Sequence, residues 1–322
     1  MLTRFVASLL SLGFACAALS AEEWAPRRVN LVVGYTAGGN TDMAARILAN
    51  SMTQLLPAPV VVENKAGAGG TIGAAYVARA PADGSVLLVA SQSETTMLKA
   101  NRLKPPYDID NDLVPVAKLM DQDYLLVVPR SLNVTRWSEF VSYAKSRGSL
   151  TYASAGIGTT AHVMSEHLMA VIGVKSVHVP YQGAATLRPD LLAGRVDFYI
   201  DVLPLAMPMV AEDRLRALAV TQIQRDQRLP SVPSLVELGI FPEPYAGWTG
   251  VFAPKGTSPE ARRRILALIN QMLDGAGGEE IKRNGYRPAS PKQGLDDFAE
   301  FVANDQKRWL SVFQKTGIPP SP

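Results

Sequence analysis

RVNLVVGYTAGGNTD, residues 28–42, packs a strand, a turn and a helix start into one short stretch. Leu31, Val32 and Val33 form an apolar run that stops at glycine. Gly38 and Gly39 supply the turn, and Met43, Ile47 and Leu48 then recur at helical spacing, so the helix opens at Thr41-Asp42. The first N–H groups of such a helix have no intrahelical acceptor and point into one small space. Together with the positive end of the helix dipole they can hold an anion without lysine or arginine. The design recurs at LTYASAGIGTT, residues 150–160, with Gly156 and Gly158 in the turn. Either stretch alone is equally an ordinary strand-to-helix connection. Two of them in separate halves of a chain suggest a ligand gripped from both sides.

The chain has 322 residues, 47% hydrophobic and 19% charged, which is comfortable for two domains that each bury a core. Arg4 precedes an apolar run from Phe5 to Leu19 that ends in small residues at Ser20 and Ala21. That pattern is a secretory signal peptide, too short for a membrane span, with cleavage expected beside Ala21. Cys16 is the one cysteine and lies inside this leader, so the mature chain is expected to carry no disulfide and no cysteine metal ligand. Gly13 stands where a lipoprotein signal has leucine, which argues against a lipid anchor on Cys16. Losing Arg4 leaves 31 basic against 29 acidic residues. A balance so close to neutral gives no support to nucleic-acid or membrane-surface binding.

Further along, the pattern alternates. A helix to Leu56 ends before Pro57, and Val60–Val62 is a strand. Gly67–Gly73, GAGGTIG, opens a helix through Ala78; its glycines are not spaced as a dinucleotide fingerprint, and close helix packing explains them. Val86–Ala90 is a strand that releases Ser91, Gln92 and Ser93, whose hydroxyls and amide can face a ligand. Strands follow at Tyr124–Val128, Leu150, Val177–Val179, Val196–Ile200, Leu215–Val220 and Gly247–Ala253. Helices fall at Trp137–Arg147, Thr160–Ile172 and Thr186–Ala193. This alternation implies parallel sheets covered by helices. Ser258-Pro259-Glu260 is a helix start of cap, first-turn proline and acid. In the last helix, from Leu295, Phe298, Phe301, Val302, Trp309 and Phe313 share a face and read as core.

Enzymatic constellations are sparse. The three histidines are His162, His167 and His178. His162 and His167 lie five apart on one helix and point about 140° away from each other, so they cannot hold one metal together. No nucleophile elbow, phosphate loop or telling pair of carboxylates occurs. Asp197 and Asp201 share a strand face, and Asp201 lies at the strand's C-terminal end, where α/β sheets bind ligands.

Taken together, the motifs resemble the Bug-type extracytoplasmic solute receptors of tripartite tricarboxylate transporters. The matching stretches are Gly34–Asp42, Val61–Asn64 with Gly67–Gly70, and Pro106-Tyr107-Asp108. Tyr152–Gly156 with Gly158 and His162, His178–Tyr181, Leu215–Thr221 and Phe298–Ile318 match as well. The resemblance implies a two-domain α/β periplasmic binding protein of the type II, Venus-flytrap kind, with crossover strands near Tyr124–Val128 and Gly247–Ala253. Residues 1–21 would be the signal peptide, 22–122 and 252–322 one domain, and 123–251 the other. It further implies a monomeric periplasmic protein with no cofactor and no metal. Such a protein passes a small organic carboxylate to the membrane components of its transporter. The implied grip falls on Tyr35, Gly38, Gly39, Thr41, Asp42, Ser154, Gly156, Thr159 and Thr160, with Asp201 facing the cleft and Ser91 added from the strand end above.

Ile157 and Val202 stand where the family often has asparagine, which favours a less polar ligand tail. Glu94, if it faced the cleft, would favour an amine. The competing reading is a secreted hydrolase on the same fold, using Ser154 or Thr160 with His162.

Overall fold

The computed structural model describes residues 24–101 and 103–316; the expected signal peptide, residues 1–21, lies outside them. The chain opens with β1 (Val29–Val33), α1 (Asn40–Leu55), β2 (Val60–Asn64), α2 (Thr71–Ala78) and β3 (Val86–Ser91). β1 pairs in parallel with both β2 and β3, the order that right-handed strand-helix-strand units produce. A short helix α3 (Thr96–Ala100) and a long strand β4 (Leu113–Gln122) complete this half. β4 was not expected, because Pro115 and Lys118 interrupt its apolar run.

One residue, Asp123, separates β4 from β5 (Tyr124–Pro129), and the two strands belong to different sheets. There follow α4 (Trp137–Arg147), β6 (Ser149–Ser154), α5 (Thr160–Ile172), β7 (Lys175–Pro180), α6 (Ala184–Leu192), β8 (Tyr199–Val202), α7 (Leu203–Ala211) and β9 (Leu215–Val220). The return is made by β10 (Gly247–Pro254), α8 (Pro259–Asp274), α9 (Ala276–Arg283), β11 (Arg287–Pro288) and α10 (Asp297–Thr316).

The first sheet runs β11-β4-β10-β3-β1-β2, the second β8-β5-β9, and β6 pairs with β7. An isolated bridge between Tyr152 and Phe198 joins the last two. The expectation of parallel sheets holds for β1–β3 and for β6–β7. It is corrected elsewhere, since β10 runs antiparallel to β3 and β4, and β5 antiparallel to β8 and β9. The reason is connectivity: β10 and β5 are reached by crossings between the halves and enter their sheets from the opposite end. α7 was also missed, because Pro204 and Pro208 read as breakers. Pro204 occupies the first turn, where its missing N–H costs nothing.

Caps and cores follow the sequence closely. The Ser258 hydroxyl accepts from Ala261 N at 3.1 Å ahead of Pro259, a cap of the kind worth about 1 kcal/mol. Phe298, Val302, Trp309 and Phe313 of α10 are buried, and Phe298 packs edge-on against Trp248 of β10. The C-terminal helix thus closes the core of the first lobe.

At the return crossing Thr221, just past β9, holds Tyr124 and Tyr245. Its hydroxyl accepts from Tyr124 N at 3.2 Å and donates to Tyr245 O at 2.7 Å. The two lobes therefore communicate through Asp123, Thr221 and the segment before Gly247.

Candidate functional site

A cavity lies where the two lobes meet. The first lobe contributes Tyr35, Gly39, Thr41 and Ser91, the second Thr159, Thr160, Tyr199 and Val202, and Gln122 and Tyr124 at the first crossing form its base. It encloses about 60 Å³, several times the ~10–15 Å³ that one water needs. The N-termini of α1 and α5 both open onto it. Gly39 is the N-cap of α1 and offers no side chain to the first-turn N–H groups, while Thr159 caps α5 without a side-chain bond to it. No lysine or arginine is in the lining. The positive character of the site comes from backbone dipoles and hydroxyl hydrogens.

The lobes are closed on each other. Thr160 Oγ1 accepts from Gln92 Nε2 at 3.0 Å and lies 3.2 Å from Ser93 Oγ, and Thr160 N donates to Ser93 Oγ at 3.2 Å. One hydroxyl of the first lobe thus answers the helix N-terminus of the second. Glycines let the rims touch: a Cβ on Gly69 would lie 2.6 Å from Ile157 O, and one on Gly183 would collide with the Thr36 hydroxyl.

Of the residues singled out from sequence, Tyr35, Gly39, Thr41, Ser91, Thr159 and Thr160 line the cavity. Gly38, Asp42, Ser154, Gly156 and Asp201 are not part of its lining. Gly38, at φ +86°, donates its N–H to Asp42 Oδ2 at 3.0 Å. Asp42 also accepts from Arg46 and Asn64. Burial opposes its charge, but the bonds from Arg46, Gly38 and Asn64 outweigh that and hold the carboxyl below its ordinary range. Asp42 therefore shapes the loop.

Ser154 is fully buried. Its Oγ lies 2.9 Å from Gly156 O and 2.6 Å from His178 Nε2. The imidazole beside Ser154 is thus His178 and not His162, which corrects the pairing that the hydrolase reading required. His162 Nδ1 accepts from Gly158 N at 3.0 Å, and its ring stacks on His178 with centroids 4.1 Å apart. Burial pushes both imidazoles down to about 4. His167 faces away, with Nδ1 3.0 Å from Tyr245 Oη. Among the described residues no cluster of histidine, cysteine or carboxylates could hold a metal ion.

Asp201 is wholly buried, accepts from Val202 N at 2.8 Å, and lies 3.8 Å from Arg188 Nη2. Burial pushes it up to about 6, opposed by Arg188. Gln122 and Tyr199 were not found from sequence: Gln122 ends the missed strand β4, and Tyr199 begins a strand placed three residues too early. Glu94 does not face the cleft. It is fully buried behind Tyr35 and Ser91.

A two-lobed α/β protein with a small cavity closed between two helix N-termini is a solute-binding protein of the periplasmic type. Residues 44–318 match the family described as the tripartite tricarboxylate transporter family receptor, and the chain belongs to that family. It is 33% identical to BugT of Bordetella pertussis over 311 residues, covering 94% of this chain and 93% of BugT. Among solved structures it is similar to MatC from Rhodopseudomonas palustris with bound malate, at 31% identity and a TM-score of 0.83, covering 89% of this chain and 98% of MatC. An R. palustris protein with adipate is similar at 33% identity and a TM-score of 0.84, covering 92% of this chain and all of that one.

Proposed function

We propose that this protein is a periplasmic receptor that closes on a small organic carboxylate and delivers it to the membrane components of a tripartite tricarboxylate transporter. The observation that carries the reading is the pair of helix N-termini opening on one cavity whose lining holds hydroxyls and no side-chain cation. Malate and adipate in the related proteins support the same ligand class. A carboxylate taking four hydrogen bonds at about 1.5–3 kcal/mol each gains about 6–12 kcal/mol before ordering costs. Micromolar affinity needs about 8 kcal/mol, so the loops suffice without a salt bridge.

In this reading Tyr35, Gly39, Thr41, Ser91, Thr159 and Thr160 touch the ligand. Gly38, Asp42, Ser154 and Gly156 hold the loops, and Asp201 acts from behind the wall. The lobes divide as 22–122 with 252–322 against 123–251, residues 1–21 are the export signal, and the receptor works as a monomer. Titration calorimetry against C4–C6 dicarboxylates, matched monocarboxylates and amines tests it. Binding of the acids is expected; binding of amines in preference to every acid would overturn it.

A further inference from the structure

Behind the cavity wall stands a carboxylate that no cation answers among the described residues. Glu94 is fully buried, and Ser91 and Tyr35 donate hydrogen bonds to its carboxylate. Oε1 accepts from Ser91 N at 2.9 Å, while Oε2 accepts from Ser91 Oγ at 2.6 Å and from Tyr35 Oη at 2.8 Å. Ser91 and Tyr35 both line the cavity. A buried ionised carboxylate needs such donors, because each one it lacks costs the full desolvation of that site.

The hydrogens available are few enough to count. Ser91 Oγ carries one hydrogen and also accepts from Ser93 N at 3.2 Å. With Glu94 ionised, that one hydrogen goes to Oε2, and Ser91 shows the cavity only a lone pair. With Glu94 protonated on Oε2, the acid donates to Ser91 Oγ. Both Ser91 lone pairs are then used and its hydrogen is free to point into the cavity. Tyr35 keeps an acceptor in either state, since its Oη lies 2.9 Å from Gly69 O as well.

We propose that Glu94 is a proton-switched positioning residue, which takes up a proton from solvent as an anionic ligand enters and thereby turns the Ser91 hydroxyl from an acceptor into a donor. The idea rests on the carboxylate reading above. An anion in the cavity needs donors, and it also repels a second negative charge one side chain away in a water-poor setting. Both effects favour the neutral acid. In the empty protein burial already pushes Glu94 up to about 6, so a modest further rise carries it through neutral pH.

The groups that face Glu94 do not compete for this role. They are Tyr35 from the loop after β1, Ser91 and Ser93 from the end of β3, Tyr107 after α3, whose hydroxyl donates to Glu94 O at 2.5 Å, and Tyr124 from β5. Burial raises all three phenols, which therefore stay neutral. No lysine or arginine is an ion-pair or hydrogen-bond partner of Glu94 among the described residues. Asp201 titrates in the same range and must be separated by experiment.

Calorimetry with malate and adipate from pH 5.5 to 8.5, in paired buffers of different ionisation enthalpy, reads the proton directly. The native protein is expected to take up as much as one proton per ligand above about pH 6, with affinity falling by as much as tenfold per pH unit. Glu94→Gln places an N–H where the acid proton would sit; it should bind with no proton uptake, and at pH 8 at least tenfold more tightly than the native protein. Uptake that is lost in Asp201→Asn but persists in Glu94→Gln would assign the proton to Asp201 and overturn the proposal. Binding without proton uptake by the native protein, or uptake that survives Glu94→Gln, overturns the role of Glu94 and leaves the receptor reading intact. If no acid binds either protein, the receptor reading falls and the switch with it.

Discussion

A Cβ built on Gly156 would stand 2.8 Å from the amide nitrogen of Gly69, across the mouth of the cleft. Gly156 also sits at φ +137°, a conformation that other residues adopt only under strain. Its glycine therefore allows closure and does not clear room for the ligand. Gly39 is the opposite case: its φ is −88°, and a Cβ there would have only Thr36 O within 4 Å, at 3.8 Å. Gly156→Ala is expected to weaken every acid alike, by at least tenfold. Gly39→Ala intrudes on the cavity and should penalise longer acids more than shorter ones. Calorimetry across a chain-length series separates the two, and the same length dependence in both variants would refute the assignment.

Thr160 is the polar latch between lobes. Thr160→Val keeps the shape but removes the acceptor of Gln92 Nε2 and the neighbour of Ser93 Oγ. Gln92 Oε1 already has no protein partner, so the side chain would be left with none. Stranding such groups costs roughly 1–3 kcal/mol, which is about 5- to 150-fold in affinity. Thr160→Ser retains the hydroxyl and should restore most of it. Equal affinities in the Val variant and the native protein would mean that the latch carries no energy.

The stacked pair His162 and His178 sets an acid limit. Folded values near 4 lie below the ordinary 6.5 of histidine, so the unfolded chain binds more protons between those two pH values. Stability from this source is complete above about pH 6.5 and is lost as the pH falls towards 4. Protonation of His162 Nδ1 also removes the acceptor of Gly158 N. Nuclear magnetic resonance should therefore show both rings titrating below pH 5, with exchange of the Gly158 amide quickening over the same range. Titration of either ring near 6.5 would contradict the burial argument.

Export is checked chemically. Protein taken from the native host should begin near Ala21 or Glu22, because Arg4 and the apolar run from Phe5 to Leu19 have the pattern of a leader. An intact Met1 on that protein would remove the basis for a periplasmic site of action.

Much of this arrangement was legible in the sequence because local signals and tertiary context agree there. The loop around Gly38-Gly39 and the one around Gly156-Gly158 both begin with buried strands and end in helices, so their positions follow from periodicity. What was illegible depends on contacts distant in the chain. β4 becomes a strand by pairing with β10, more than a hundred residues later, despite Pro115 and Lys118. Asp42 looks like a ligand residue until Arg46 and Asn64 are seen to occupy its oxygens. Only part of the setting of Glu94 is local: Ser91, three residues before it, bonds its carboxylate, but Tyr35, Gly70 and Tyr107, which complete its surroundings, lie elsewhere in the chain.

The hinge supplies a last test. Thr221 accepts from Tyr124 N at 3.2 Å and donates to Tyr245 O at 2.7 Å, and its backbone bonds both residues again, at 3.1 Å each. All three residues are buried, so water cannot replace what a substitution removes. Thr221→Val keeps the volume but leaves one N–H and one C=O stranded, at roughly 1–3 kcal/mol each. For a chain of this size each kcal/mol lowers the melting temperature by about 1.5–2 °C. The loss falls where the two crossings meet, so the lobes of the valine variant should also sample wider angles when empty. Thr221→Ser restores the hydroxyl and should recover both properties. Melting curves and small-angle scattering on the three proteins decide it. A valine variant that melts and scatters like the native protein would show that backbone pairing alone fixes the hinge.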